Sequence, residues 1–418
     1  MSDGPADPAG AAPPSPFSFR DFRLFWTARF CATLGTQAQG AAVAWQVYEI
    51  GRERGGVAEA VFLVGMIGLA QFLPLFALAL PAGEIADRRN RRAILQLCVG
   101  AELVCAVVLA LTVLLDHPSL TVIFAVLALF GAARAFLAPA SAALGPMLVP
   151  REVLPRAIAM NSLAFQSASI VGPALGGLLC AISPGAAYAT AGALFIACIG
   201  LLTLIRTHAT PIAQLGSRMA LIKEGLVYVW RSKIVLGAIS LDLFAVLLGG
   251  ATALLPVFAR DILQIGPEGF GLLRAAPAVG AVITAAILAR RPIRRFAGTW
   301  MIGGVAVFGL MTIVFGLSTW WVLSVAALVV LGAADMVSVF IRQTLVQLVT
   351  PDAMRGRVGA VSLLFISASN ELGEFESGVV ARLLGPVGAA LFGGVGALVV
   401  TGAWARMFPS LRKVDALT

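Results

Sequence analysis

Charge is scarce in this chain. Only 12% of its 418 residues are Asp, Glu, Lys or Arg, while 59% are hydrophobic and the mean hydropathy is +0.94. Soluble domains carry roughly 25% charged residues, so this composition excludes one and indicates an integral membrane protein. Lysine is scarcer still. Lys223, Lys233 and Lys413 are the three present, and none completes a G-x-x-x-x-G-K-[ST] loop, which excludes that means of using ATP. Two histidines, His117 and His208, and five cysteines, Cys31, Cys98, Cys105, Cys180 and Cys198, are dispersed without metal-ligand spacing. The sequence therefore implies no metal and no cofactor, and the cysteines read as small buried hydrophobes. No nucleophile stands beside a base, which makes an enzyme the weakest reading. The opening MSDGPADPAGAAPPSPF lacks the basic and apolar regions of a signal peptide, so residues 1–17 read as a disordered tail.

What is abundant is apolar sequence in runs long enough to cross a bilayer as helix, ~20 residues each. Twelve such runs are expected, at 22–48, 60–82, 93–115, 119–144, 152–182, 184–206, 234–261, 268–289, 299–317, 320–346, 353–383 and 387–408. The implied fold is an all-α membrane protein with two pseudo-symmetric six-helix bundles. Basic residues set the orientation, because Lys and Arg in short loops resist translocation. Arg88, Arg89, Arg91 and Arg92 lie between segments 2 and 3, Arg151 and Arg156 between 4 and 5, and Arg290, Arg291, Arg294 and Arg295 between 8 and 9. With Arg218, Lys223, Arg231 and Lys233 in the central connection, they put both termini on the cytoplasmic side. The net charge of +9 follows from this asymmetry and implies no nucleic-acid partner.

The longest polar connection, 207–233, divides the chain into bundles at 18–206 and 234–408, with a cytoplasmic tail at 409–418. Within it, RMALIKEGLVYVWRSK sets Leu221, Leu226, Val229 and Trp230 against Arg218, Lys223, Glu224 and Arg231. This is an amphipathic helix, either lying on the membrane surface or serving as a plain linker. A shift of 201 residues lays one half on the other: Pro150 on Pro351, Arg156 on Arg357, Ala159 on Ala360, Leu163 on Leu364, Gly172 on Gly373 and Gly177 on Gly378. Two halves related by a parallel repeat form a transporter architecture.

After segment 2 stands AGEIADRRNRRAIL. Its Gly83, Asp87, Arg88, Arg91 and Arg92 match G-x-x-x-D-R-x-x-R-[KR], and here the chain resembles the major facilitator superfamily. Glycine permits close helix approach, and the arginines suit helix carbonyl ends and lipid phosphates. The resemblance implies a latch that closes the cytoplasmic side against the start of segment 11. In the second half the matching AAILARRPIRRF has Arg290 where the aspartate would be, so the latch is expected on one side only. In segment 5, ASIVGPALGG resembles the exporter and antiporter signature G-x-x-x-G-P-x-x-G-G through Gly172, Pro173, Gly176 and Gly177, with Ala168 in place of the first glycine. Close packing alone is the competing reading of those small residues. The PDAMRGRV and IKEGLVYVWRS stretches resemble the branch that includes enterobactin exporters and macrolide efflux proteins.

Charges within the apolar runs each need a partner or a wet cavity. Arg29, Thr33, Gln37 and Gly40 fall on one stripe of segment 1. The resemblance implies a cleft lined by segments 1, 4, 7 and 10, which brings in Arg134, Asp242 and Asp335. The 201-residue shift sets Arg134 opposite Asp335, whereas Asp335 and Arg342 share a face and form the alternative pair. Glu102 and Arg274 are expected in structural contacts near the membrane edges. In segment 11, Glu371 and Glu374 form one ridge, with Glu376 facing away and structural or wet. Desolvation and mutual repulsion make Glu371 and Glu374 candidates for proton coupling; the competing reading pairs the cluster with Arg29 or Arg382.

Together these features predict a secondary transporter, a monomer, that exports an organic solute in exchange for protons by alternating access. The expected partners are a small-molecule substrate, protons and membrane lipids. An importer on the same fold and a non-transporting membrane sensor or assembly factor are the alternatives.

Overall fold

The computed structural model describes residues 15–207, 218–291, 293, 295–412, 414 and 415, without the side chains of Leu80, Asp87, 218–222, Asp352, Ala353 and Leu363. Among the described residues, ten stretches are long and apolar enough to span a membrane. Two of them fold back on themselves, at Gly56 and Gly385, both at φ 77°, where a side chain would strain the backbone. The result is twelve crossings. We number them α1 (20–55), α2 (57–88), α3 (Arg91–Leu114), α4 (Leu120–Leu144), α5 (Leu154–Ile182), α6 (Pro184–Thr203), α7 (Lys233–Ile262), α8 (Gly266–Arg290), α9 (Ala297–Leu317), α10 (Trp321–Val349), α11 (352–384) and α12 (386–407).

Local chemistry places the ends. Asn90 accepts hydrogen bonds from the amides of Arg92 and Ala93 to start α3, and Ser183 accepts from Ala186 ahead of Pro184 to start α6. α7 is discontinuous: its α-helix stops at Leu248, Gly249 and Gly250 interrupt it, and it resumes as 3-10, α and π turns to Ile262. The residues expected to end the leading tail are packed, since the Phe17 ring stands 5.8 Å from Phe22 and 5.4 Å from Trp26. Residues 1–14 lie outside the described residues. At the other end, the amides of Ala297 and Gly298 donate to the carbonyls of Asp415 and Val414.

Six crossings per half bring both termini and the central connection to one end, here termed the terminal end; the opposite end is the far end. The central connection contains a helix at Arg218–Arg231 that packs on the start of α11. Glu224 pairs with Arg357, and the Tyr228 hydroxyl donates to the Val349 carbonyl at 2.9 Å.

The repeat has a structural counterpart. A Cβ built on Gly172 of α5 falls 3.1 Å from the Leu34 carbonyl of α1, and one on Gly373 of α11 falls 2.8 Å from the Val246 carbonyl of α7. One turn on, Gly177 faces Gly271 of α8 and Gly378 faces Gly65 of α2. Both crossings between halves therefore rest on glycine against glycine at the far end.

The distribution of the core shows which end is closed. One cluster, from Ala41 through Phe258 and Phe270 to Ala397, runs across both halves at the far end. Toward the terminal end the core splits into a cluster around Phe22, Phe195 and Leu144 in the first half and another around Leu241, Met301 and Ile341 in the second. The halves are joined at the far end and parted at the terminal end.

Candidate functional site

Between the parted halves lies a cavity of about 850 Å³. Its charged wall comprises Arg29, Glu102, Arg134, Arg274, Asp335, Glu371 and Glu374. Thr33, Thr36, Gln37, Gln71 and Asn370 add neutral polar groups.

Small residues assemble the centre. Gly131 of α4 sits so close to Gln71 of α2 that a Cβ would fall 2.9 Å from the Gln71 Cα. Gly68 of α2 rests in the same way on the backbone of Glu371 in α11. One turn beyond Gly131, Arg134 Nη1 then reaches Gln71 Oε1 at 3.0 Å and Glu371 Oε1 at 2.7 Å. The Arg134–Glu371 pair crosses the boundary between halves inside the apolar zone, where a lone charge costs roughly 2.5–3.5 kcal/mol on insertion scales. Arg274 of α8, in the same wall, interacts electrostatically with Glu374 and Glu371.

Several sequence expectations change here. Arg134 meets Glu371 and not Asp335. Arg382 turns away from the glutamate ridge, pairing with Glu59 at 3.5 Å with its guanidinium 4.6 Å from the Phe62 ring centre. Glu102 and Arg274, expected near the membrane edges, both line the cavity; Glu102 is 1% exposed and feels Thr36 and Arg134. Asp242 is absent from the cavity wall. It is buried against Arg342 of α10 at 3.3 Å, so the shared face of Asp335 and Arg342 serves a contact with α7. Glu376 lies off the cavity wall, with the Ser377 hydroxyl 3.4 Å away.

The stripe on α1 is as drawn from the sequence: Arg29, Thr33, Gln37 and Gly40 all face the cavity. Arg29 donates to Ser141 Oγ at 3.2 Å and has no acidic partner among the described residues. Gly172 and Gly176 pack on α1, while Gly177 and the Pro173 carbonyl meet Gly271 of α8. The α5 motif is thus the far-end joint. Where α2 ends and α3 begins, Gly83 is buried, Arg88 pairs with Glu84 at 2.8 Å, Arg91 reaches the Met147 sulfur at 2.8 Å, and Arg92 closes α6 on the carbonyls of Thr203 and Ile205. The Asp87 side chain lies outside the described residues.

Sequence reasoning missed a second set of links between halves, at the far end. The Tyr48 hydroxyl and Arg52 of α1 hold Asp261 of α7, the latter at 3.2 Å, and Glu49 pairs with Arg260. Of the four basic residues that the sequence leaves on the side opposite the basic loops, Arg52, Arg54, Arg260 and Arg382, three take part in links at this end, and that placement was the available signal.

The family profile described as transmembrane secretion effector matches residues 11–418. The chain belongs to this family of major facilitator transporters. Among curated relatives, enterobactin exporters of Shigella boydii and of Escherichia coli (strain HS) are each 29% identical over 391 residues, covering 91% of this chain and 89% of theirs. The fold matches a POT family transporter in complex with 5-aminolevulinic acid, at TM-score 0.76 and 12% identity over 94% of this chain and 97% of that one. It also matches a bacterial homologue of the iron transporter ferroportin in an inward-facing state, at TM-score 0.67 and 18% identity over 92% and 98%. A transmembrane secretion effector of the major facilitator type is a transporter and not an enzyme.

Proposed function

We propose that this protein is a monomeric proton-coupled exporter of the inner membrane, carrying a siderophore-like or drug-like organic solute out of the cell. The observation that carries this reading is the Arg134–Glu371 pair, set across the two halves in a cavity parted at the terminal end. The basic loops make the terminal end cytoplasmic, with both chain termini there. Cargo then enters from the cytoplasm. The enterobactin exporters among its relatives favour export over import.

Cargo chemistry follows from the wall. Arg29, with no acidic partner among the described residues, takes an anionic oxygen of the cargo. Glu371 and Glu374, when ionised, accept hydrogen bonds from cargo hydroxyls. A proton on either glutamate removes an acceptor, so proton and cargo exclude one another, as exchange requires. Polyhydroxylated acids of the catecholate type satisfy both demands. In the alternate state the halves rock apart at the far end, and the latch of Gly83, Asp87, Arg88, Arg91 and Arg92 closes the cytoplasmic end.

The test is uptake into inside-out vesicles with an acid interior, comparing a catecholate siderophore, a cationic drug and a neutral sugar. Gradient-dependent accumulation of the catecholate supports the reading. Accumulation of none, with uptake in right-side-out vesicles instead, makes the protein an importer.

A further inference from the structure

A second, smaller cavity of about 10 Å³ lies within the second half, between α7, α9 and α10. Its lining includes Asp242, Asp335 and Ser338, with Val246, Val305 and Phe308. Val246, Phe308 and Asp335 also line the large cavity, so these three residues form the partition, and Asp335 is its one ionisable member. Behind the partition everything polar is buried: Asp242 is 6% exposed, Arg342 2% and Ser338 1%. The pairing is incomplete. Ser338 Oγ and the Nε and Nη1 of Arg342 have no hydrogen-bond partner among the described residues, although Arg342 Nη2 meets Asp242. Unpaired buried donors and hydroxyls are costly, and they indicate a site that a small polar species completes.

We infer that Asp335, Asp242, Ser338 and Arg342 form a one-proton site in the second half, loaded from the large cavity through Asp335. Two carboxylates facing one guanidinium leave a single negative charge, which one proton neutralises. A volume of about 10 Å³ holds about one water, excluding a hydrated metal ion. The surroundings add nothing that substitutes for the proton. α9 carries no ionisable residue, α7 presents Asp242, and α10 presents Arg342. Arg274 of α8, Arg134 of α4 and Glu371 and Glu374 of α11 all face the large cavity, on the other side of the partition. Because Asp242 lies two turns before the break at Gly249, a change in its partner acts on the discontinuous helix that lines the cargo site.

The inference takes its purpose from the proton-exchange reading, but its test needs neither cargo nor gradient. Infrared difference spectra between acid and alkaline pH are recorded on the full chain in nanodiscs. The expected result is a protonated-carboxyl band that is lost in Asp335→Asn, shifted in Ser338→Ala and retained in the Glu371→Gln/Glu374→Gln double variant. Asp335→Asn keeps the buried Asp242–Arg342 pair, and Ser338→Ala supplies an independent check if it fails to fold. A band unchanged in both Asp335→Asn and Ser338→Ala overturns the assignment. So does a band abolished by sodium chloride at constant pH, which makes the occupant sodium.

Discussion

Arg134 of α4 and Glu371 of α11 meet at 2.7 Å across the boundary between the two halves, with Gln71 of α2 on the same guanidinium nitrogen. A charge-assisted bond of this kind contributes about 1.5–3 kcal/mol, and tenfold in rate corresponds to about 1.4 kcal/mol. Arg134→Gln and Glu371→Gln are each expected to slow transport by about tenfold or more. In a double-mutant cycle the two losses fall short of additivity, because either substitution removes the same interaction.

The far-end links hold the halves together where the core is continuous. Asp261→Asn removes the charge paired with Arg52 and leaves one acceptor oxygen where Tyr48 and Arg52 use two, and Arg382→Gln removes the charge paired with Glu59. Spin-label distances between α2 and α11 at the far end, read by pulsed electron resonance, are expected to lengthen in the double variant. An unchanged distance distribution shows that packing alone keeps that end shut.

That packing is tested by bulk. A Cβ on Gly177 falls 2.6 Å from the Gly271 Cα, and one on Gly65 falls 2.7 Å from the Gly378 Cα. Gly177→Val and Gly65→Val are therefore expected to destabilise the state described here and favour the one open at the far end. The readout is faster labelling of a cysteine placed near Asp261 in whole cells.

Arg29 lacks an acidic partner among the described residues, so its loss leaves little unpaired behind it. Arg29→Gln is expected to weaken binding of an anionic cargo by about tenfold while sparing its neutral ester. Equal weakening of both, measured by calorimetry on purified protein, assigns Arg29 a packing role.

The helices and the α1 stripe were legible because each rests on period and composition along one segment, and the repeat because like residues recur at a fixed shift of 201. Partner choice was not. Glu371 lies on a readable ridge, but what brings Arg134 to it is the contact of Gly131 with Gln71 and of Gly68 with Glu371, three-body packing that no single helix encodes. Depth misled in a different way. Glu102 and Arg274 were assigned to structural contacts near the edges, yet the opened cavity reaches both. The far-end network was visible only through Arg52, Arg260 and Arg382, three of the few basic residues on the side opposite the basic loops.

The most direct test of proton exchange imposes an acid interior on inside-out proteoliposomes, with proton efflux followed by a pH dye as cargo is added outside. The account predicts that cargo accelerates proton efflux in the native protein and that Glu371→Gln and Glu374→Gln, which mimic the protonated carboxyls, abolish this and weaken cargo binding. Cargo-driven proton movement unchanged in both variants contradicts it.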